Sequence, residues 1–262
     1  MDSSVGEWRY RRGVQRVGSV RAASNYYGNG RLSALIPAHD EAPRIGAVVF
    51  GALEHLPVLV VDDGSADETA AVAEVSGATV IRQMPNQGKG AALRTGFSRA
   101  LDQGWDAALT LDADGQHDPR EIPKFLDAWR LEPSSADGST EVVERPDLVI
   151  GYRDFRAMPL LRRLSNTLGR LTLRWALGTT IRDNQSGYRL ISRRVMEAMV
   201  GSSESGFEFE VEMIATCIRR GWRIAWVPIR TIYGAPSHIR NWDHLVNFVR
   251  TAWRIRRGEL GR

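Results

Sequence analysis

The sequence predicts an α/β fold in which helices flank a mostly parallel, doubly wound sheet. Short apolar runs, which are typical of buried strands, alternate with amphipathic stretches four times before residue 131. A cluster of polar residues follows the apolar runs that end near residues 36, 61, 82 and 111. In an open sheet of this kind, ligands bind beyond the carboxyl ends of the strands. The pattern therefore predicts one functional site that is built from these polar clusters.

The first half of the chain is predicted to form four strand–helix units. They follow residues 1–30, a leader without a sustained hydrophobic period that is expected to be poorly ordered. The second helix is expected to start at Ser65, because Ser65 and Glu68 have the spacing of a capping box. The predicted strands are 32–36, 58–61, 79–82 and 107–111, and the predicted helices are 45–53, 65–75, 91–101 and 122–131.

The second half of the chain is predicted to complete the same domain. Residues 132–146 are rich in Pro, Ser, Asp and Gly, which indicates an exposed insertion loop. Pro228 is expected to separate two short strands. We expect one domain over residues 31–240 and a C-terminal amphipathic basic helix over 241–262. The remaining predicted strands are 147–151, 188–192, 224–227 and 229–233, and the remaining predicted helices are 158–177, 193–199, 207–220 and 242–256.

Tryptophan is placed mainly at apolar positions, which predicts core residues rather than platforms for a sugar. These tryptophans are Trp105, Trp129, Trp175, Trp222 and Trp226. The predicted C-terminal helix also has an apolar face, which includes Trp242 and Trp253, and arginines on its other side. Packing against the domain and contact with a membrane surface both explain such a face, so both interpretations stay open.

The formal net charge of +4 is concentrated at the ends of the chain. Residues 1–30 carry +3 and residues 238–262 carry +4, which leaves −3 for the residues between them. Basic ends indicate contact with an anionic partner, such as a lipid surface. A nucleic acid is not expected as the partner, because the sequence has no basic strand interleaved with aromatic residues and its acidic loops would repel phosphates.

Cysteine content and hydropathy predict the compartment. The single cysteine, Cys217, excludes an internal disulfide and favours a reducing environment. No apolar stretch is long enough for a transmembrane helix, and the first thirty residues lack the apolar segment of a signal peptide. We therefore expect a cytoplasmic protein, with the cytosolic face of the membrane as a candidate location.

The polar cluster after the fourth predicted strand has the composition of a cation site. Alternate residues of an extended chain point to the same side, so Asp112, Asp114 and Gln116 offer their oxygens together. Ligation by oxygen alone suits Mg²⁺ or Mn²⁺ better than Zn²⁺. The charged partner expected for such a cation is a diphosphate.

The other clusters have side chains that suit a nucleotide. The loop 37–41 and the pair Asp62 and Asp63 could accept hydrogen bonds from a base and a ribose, and Lys89 lies between two glycines, where it could approach a phosphate. The sequence lacks a complete Walker loop, and no Gly-x-Gly-x-x-Gly follows the first strand. A dinucleotide-dependent oxidoreductase is therefore disfavoured.

Four motifs, and their order along the chain, resemble those of family-2 glycosyltransferases. Within that family, the resemblance is strongest to the polyprenyl-phosphate glycosyltransferases of the dolichyl-phosphate mannose or glucose synthase type. The motifs are 60–65 with Asp67 and Thr69, 86–90, 112–119 and 183–189. The likeness spans roughly residues 32–250. It implies a GT-A fold, a nucleotide-sugar donor, and Mg²⁺ or Mn²⁺ as cofactor.

The resemblance also implies roles for individual residues. Donor-binding residues would be Pro37, His39, Glu41, Asp62, Asp63, Lys89, Gln116, Ser237 and His238. The metal would be held by Asp112, Asp114 and Gln116. The residues expected to take part in catalysis are Asp112, Asp114, Arg153 and Asp183. Arg153 would contact the acceptor phosphate, as would residues in two later segments, namely Arg162, Arg163, Ser165 and Arg240. The family more often has an aromatic residue and Asn where His39 and Asp40 stand, so the base is left open.

The chemistry that this resemblance implies is transfer of a hexose, with inversion, from a UDP- or GDP-sugar to a polyprenyl phosphate. A lipid phosphate is largely ionised at neutral pH, since its second pKa is ~6. It can therefore attack without a general base. An acceptor hydroxyl on a lipid or a cell-envelope glycan would need a carboxylate base, for which Asp183, Glu210 and Glu212 are candidates. A third possibility is a nucleotide-sugar-binding module without turnover, which the acids Asp112 and Asp114 disfavour.

Overall fold

The computed structural model describes residues 31–130, 145–153, 160–184, 186–206, 208–230 and 250–259. For residues 160–166 and 168 it describes the backbone only. The predicted leader, most of the predicted insertion loop and residues 241–249 of the predicted C-terminal helix lie outside these ranges. The domain boundaries given above therefore stay a prediction.

Strands of the described chain form one seven-stranded sheet. They are β1 (Leu32–Ala38), β2 (Val58–Asp63), β3 (Thr79–Gln83), β4 (Ala107–Thr110), β5 (Leu148–Arg153), β6 (Arg189–Ser192) and β7 (Ile224–Ile229). Their order across the sheet is β3-β2-β1-β4-β6-β5-β7. β6 runs antiparallel to β4 and β5, whereas the other neighbouring pairs are parallel. The predicted mostly parallel α/β sheet is confirmed.

Helices cover both faces of this sheet. They are α1 (Ala42–Leu53), α2 (Thr69–Val75), α3 (Lys89–Asp102), α4 (Ile122–Trp129), α5 (Leu160–Leu177), α6 (Arg193–Val200), α7 (Glu208–Arg219) and α8 (250–256). A single 3₁₀ turn, Pro119–Glu121, precedes α4 in the described chain.

The core consists of two apolar layers, one on each face of the sheet. Successive residues of a strand point to opposite faces, so Leu35 packs with Phe97 and Phe209 in one layer, whereas its neighbour Ile36 packs with Ile45 in the other. Burial on both faces explains why the strands are continuous apolar runs rather than alternating ones.

The second helix starts later than the capping-box spacing predicts. It begins at Thr69, because Ser65 is engaged elsewhere: its hydroxyl and its backbone N–H both donate to the Asp62 carboxylate. The carboxylate of Asp67 accepts from the backbone N–H of Thr69 at 3.0 Å instead. The capping box was therefore the wrong interpretation of this segment.

Two further expectations are wrong. Pro228 lies inside one continuous strand, β7, and does not separate two. Proline is tolerated there because β7 is at the edge of the sheet and pairs on one side only. Trp175 is 48% exposed and does not belong to the core, whereas Trp129 is buried, and Trp105, Trp222 and Trp226 pack against the core while partly buried.

We expect Leu35→Ala to lower the free energy of unfolding by about 2–5 kcal/mol, because it leaves a cavity where a fully buried side chain packs against Phe97. The matched control is Leu171→Ala, at a leucine that is 56% exposed, for which a change within about 0.5 kcal/mol is expected. Urea denaturation followed by circular dichroism measures both. Equal losses for the two variants would contradict the described core.

Candidate active site

The polar clusters lie together because of the strand directions. β1, β2 and β4 are parallel neighbours, so the residues that follow them lie at one edge of the sheet. β6 runs the opposite way, so the loop that precedes it, 181–188, reaches the same edge. β5 is antiparallel to β6 and ends there with Arg153. Five segments therefore converge on one site.

The centre of the site is an ion pair between Lys89 and Asp112. The Lys89 ammonium lies 2.6 Å from Asp112 Oδ1 and 3.3 Å from Glu210 Oε1. Burial by itself raises the pKa of Asp112, but the nearby positive charges, of which Lys89 is the strongest, together outweigh burial and lower that pKa to about 2. Burial likewise opposes the charge on Lys89, whereas Asp112 and then Glu210 raise its pKa above the usual value. Both groups are charged at neutral pH.

His117 supports the backbone of this cluster as a neutral imidazole. Its Nδ1 accepts a hydrogen bond from the Asp112 backbone N–H at 3.1 Å. The ring is buried and lies 5.0 Å from the Tyr188 ring, which stacks in turn on Phe125 at 4.4 Å. Burial lowers the pKa of His117, against the opposing attraction of Asp112. A buried ring that accepts from the backbone fixes the direction in which Asp112 leaves β4.

The residues predicted to hold a metal lie in the turn that follows β4. Asp112, Asp114 and Gln116 are partly exposed, whereas Ala113 is buried. Asp114 Oδ1 accepts from the Gln116 backbone N–H at 2.9 Å, and Oδ2 accepts from Gln116 Nε2 at 2.8 Å. The left-handed backbone of Gly115, with φ of 75°, makes this turn.

This donor set fits a hard cation. Two carboxylates and one amide oxygen are ligands of the type that Mg²⁺ and Mn²⁺ prefer. Within the described ranges, no group of three or more His, Cys, Asp or Glu side chains is placed to hold a metal. A cation held by these three side chains would have coordination positions left for phosphate oxygens, as is usual for Mg²⁺ at a nucleotide.

Gly187 is a site residue that the sequence analysis missed. A Cβ atom at this position would lie 2.7 Å from Asp112 Oδ1 and 2.8 Å from Lys89 Nζ. Glycine therefore lets the 181–188 loop pass close to the ion pair without displacing Asp112 or Lys89. The glycine lies inside the quoted motif 183–189, but nothing in the sequence tells which side chains it approaches.

The glycines on either side of Lys89 also allow two segments of the chain to approach closely. A Cβ at Gly88 would lie 2.6 Å from the Ser205 carbonyl oxygen, and the Gly90 N–H donates to that oxygen at 2.7 Å. The start of α3 thus rests on the backbone at Ser205, which holds Lys89 in front of Asp112. The expected approach of Lys89 to a phosphate stays a prediction.

Asp62 and Asp63 are buried and bind loops of their own chain. Asp63 accepts hydrogen bonds from Gln83 Nε2 at 2.6 Å and from the backbone N–H groups of Gln87 and Gly88 at 2.8 Å each. Asp62 accepts from Ser65 and, at 3.4 Å, from Arg82. These bonds shape the pocket edge, so the nucleoside contact expected of both acids stays a prediction.

The loop after β1 is tied to the loop after β2. The Asp40 backbone N–H donates to the Ser65 hydroxyl at 3.0 Å, and the Glu41 N–H donates to the Thr69 hydroxyl at 2.8 Å. His39 is exposed and lies 3.5 Å from the Asp40 carboxylate, and Pro37 is buried at the end of the strand. The loop 37–41 therefore borders the same edge of the site, where His39 is open to a ligand.

Arg153 and Asp183 form a two-bond ion pair. Arg153 Nε donates to Asp183 Oδ2 at 2.8 Å, and Nη2 donates to Oδ1 at 3.0 Å. The Asp183 side chain is only 1% exposed and that of Arg153 is 18% exposed. Asp183 thus holds the guanidinium in a fixed plane at the end of β5.

A buried arginine, Arg189, binds the loop before β6 to the start of α7. It donates to the backbone oxygens of Ser186 at 2.8 Å and Glu210 at 2.7 Å. Burial lowers the pKa of Arg189, and the carboxylates of Glu210 and then Asp183 oppose that shift. The sequence analysis quoted Arg189 in a motif but gave it no role, since an arginine buried inside a sheet is not readable from a pattern.

Other predicted site residues cannot be placed. Arg162, Arg163 and Ser165 lie on α5, whose backbone alone is described there. Three further predicted residues lie outside the described ranges, namely Ser237, His238 and Arg240. Their roles stay predictions.

Comparisons with known proteins agree with this geometry. A family profile described as glycosyl transferase family 2 matches residues 33–199. The polyprenol monophosphomannose synthase of Mycolicibacterium smegmatis is 31% identical over 210 residues, with 76% of each chain covered. The undecaprenyl-phosphate mannosyltransferase of Micrococcus luteus is 31% identical over 214 residues, which cover 76% of this chain and 82% of that protein.

A solved structure has the same fold. It is the glucosyl-3-phosphoglycerate synthase of Mycobacterium tuberculosis in complex with Mn²⁺, UDP and glucosyl-3-phosphoglycerate, with a TM-score of 0.62 over 97% of this chain and 87% of that one, at 20% identity. The fold and the site thus define a glycosyltransferase of the GT-A class. The chain belongs to glycosyltransferase family 2. Its predicted resemblance to the polyprenyl-phosphate members is confirmed.

We expect Gly187→Ala to weaken the binding of Mn²⁺ and UDP at least tenfold, because the added methyl group must displace Asp112 or Lys89. The matched control is Gly201→Ala, at a glycine with φ of −80° and no atom within 4 Å of the added carbon. Isothermal titration with Mn²⁺ and UDP measures both variants. Wild-type affinity in Gly187→Ala would contradict the close approach of this loop.

Proposed function

We propose that this enzyme transfers a hexose, with inversion, from a UDP- or GDP-sugar to a polyprenyl phosphate at the cytosolic face of the membrane. The observation that carries the proposal is the pairing of two unlike sites at one sheet edge. Asp112, Asp114 and Gln116 with Lys89 suit a sugar diphosphate, and Arg153 on the other side of β6 suits an acceptor phosphate. The relatives named for polyprenol and undecaprenyl-phosphate mannosyl transfer support this acceptor class.

The donor side would be organised by the acids and Lys89. Asp112, Asp114 and Gln116 would hold Mg²⁺ or Mn²⁺, and a bound divalent cation would neutralise charge on the departing diphosphate. The Mn²⁺ and UDP in the solved structure of similar fold support this choice of ion. Lys89 adds a fixed positive charge, which Glu210 orients from behind at 3.3 Å.

A phosphate acceptor would need an arginine to bind it but no general base to activate it. An ionised phosphate can attack the anomeric carbon directly, and Arg153 would hold it in line while Asp183 keeps the guanidinium in plane. Both oxygens of Asp183 accept from Arg153. We assign Asp183 a positioning role for this reason, although the sequence analysis grouped it with the catalytic residues.

The same geometry disfavours a hydroxyl acceptor. Such an acceptor needs a carboxylate that can reach its proton. Asp183 is 1% exposed, Glu210 is buried against Lys89, and Glu212 accepts from the Ser202 hydroxyl at 2.5 Å. Each of these candidates is engaged by its own chain, and so the phosphate acceptor is the better proposal.

No helix among the described residues is long and apolar enough to cross a bilayer.

We expect Arg153→Lys to raise the KM for the polyprenyl phosphate about tenfold and to change the KM for the nucleotide sugar less than twofold. Lysine keeps the charge but cannot make the planar, two-bond contact with a phosphate. Initial rates measured with each substrate varied in turn give the two constants. Circular dichroism must show that the variant is folded, because the substitution weakens the ion pair that the buried Asp183 makes with residue 153.

The matched control is Arg99→Lys, at an exposed arginine in the last turn of α3. It should leave both KM values at the wild-type level. If Arg153→Lys weakened the nucleotide sugar as much as the acceptor, Arg153 would not be the acceptor-phosphate residue.

A further inference from the structure

Two helices expose large apolar side chains side by side. Trp175 on α5 is 48% exposed and Trp253 on α8 is 51% exposed, with their ring centroids 6.0 Å apart. Leu171, one turn before Trp175, is 56% exposed and lines the same shallow cleft. We name Leu171, Trp175 and Trp253 the tryptophan face. Exposed clusters of this kind mark interaction sites, because water around them is unfavourable.

The tryptophan face is surrounded by positive charge. Arg256 lies over the Trp175 ring at 5.5 Å, and Arg257 lies over the Trp253 ring at 5.0 Å. Further exposed arginines are Arg174 and Arg250. No acidic residue occurs in α5. Residues 250–259 include one acidic residue, Glu259. Its carboxylate oxygens lie 3.9 Å from Arg254 Nε and 3.9 Å from Arg257 Nη1.

This combination of groups matches the surface of an anionic bilayer. Tryptophan rings favour the boundary between headgroups and acyl chains, since one part of the ring is apolar and the other can bind water. Arginines attract anionic headgroups and can keep their charge in the headgroup layer while their stems lie along the apolar surface. A second copy of the chain fits less well, because a symmetric contact would place arginines against arginines.

The tryptophan face is also connected to the proposed acceptor site. α5 is the element between Arg153 and Asp183, since it begins seven residues after the arginine and ends six residues before the acid. A helix docked on a bilayer at Trp175 would therefore hold the bilayer against the element that joins Arg153 to Asp183.

We propose that the tryptophan face docks this enzyme on anionic lipid bilayers and so presents the site to its acceptor. The proposal rests on the proposed function, because a polyprenyl acceptor is what requires a bilayer. Trp175 and Trp253 insert at the level of the headgroups, and Arg256 and Arg257 bind their negative charge.

The test is binding of the full-length protein to vesicles, measured by cosedimentation. Neutral vesicles of pure phosphatidylcholine are compared with anionic vesicles, in which about 30% of the lipid is phosphatidylglycerol. Wild type should bind the anionic vesicles at least tenfold more strongly. Trp175→Ala/Trp253→Ala should lose about tenfold in that binding. The matched control, Phe50→Ala, removes a side chain that is 65% exposed on α1 and should bind like wild type.

A second variant keeps the test decisive if the double tryptophan variant folds poorly. Arg256→Gln/Arg257→Gln should lose roughly 30-fold in binding to anionic vesicles, at about 1 kcal/mol for each arginine near the surface, and little in binding to neutral ones. Wild-type binding by both variants would overturn the proposal. So would a wild type that binds no vesicles, or one that instead forms a dimer that the tryptophan substitutions dissociate.

Activity separates this proposal from the proposed function. With a short, water-soluble polyprenyl phosphate the double tryptophan variant should transfer sugar like wild type, and with a long polyprenyl phosphate in anionic vesicles it should be at least tenfold slower. Equal rates with both acceptors would overturn the docking role. If wild type bound vesicles through this face but transferred no sugar to either acceptor, the docking role would stand and the proposed function would fail.

Discussion

The ion pair between Lys89 and Asp112 connects the parts of the chain that make the site. Lys89 starts α3 and rests on the backbone at Ser205, whereas Asp112 follows β4 and is fixed by His117. Glu210 adds the start of α7 to the same cluster. Because opposite charges in a partly buried site keep each other ionised, the pair holds Asp112 as a carboxylate, with a pKa of about 2.

The reversed strand β6 is the constraint that makes this cluster possible. A sheet with only parallel strands would place the loop 181–188 at the opposite edge, away from Asp112 and Lys89. Because β6 is antiparallel, this loop instead carries Gly187 up to the ion pair and Asp183 up to Arg153. Arg189 then fixes the loop from inside the sheet. The proposed donor and acceptor sites are thus neighbours across one short strand.

Part of the site could be predicted from the sequence because it follows from local periodicity. Alternation after β4 predicted that Asp112, Asp114 and Gln116 are accessible together, and all three are partly exposed, while strand–helix alternation predicted the sheet. The direction of β6 could not be predicted, since four residues carry no signal of what they pair with. The importance of Gly187 and Arg189 depends on that pairing. The predicted start of α2 was wrong for a similar reason, because the Ser65 hydroxyl donates to the Asp62 carboxylate and does not cap the helix.

The measurement that tests the account most directly uses the wild-type enzyme with a panel of UDP- and GDP-hexoses. Radiolabel transferred to a polyprenyl phosphate is compared with that transferred to the matching free polyprenol, with Mn²⁺ or Mg²⁺ and again with excess EDTA. We expect transfer from one donor to the phosphate alone, and its loss with EDTA. Equal transfer to the free polyprenol, or transfer that continues without a divalent cation, would contradict it.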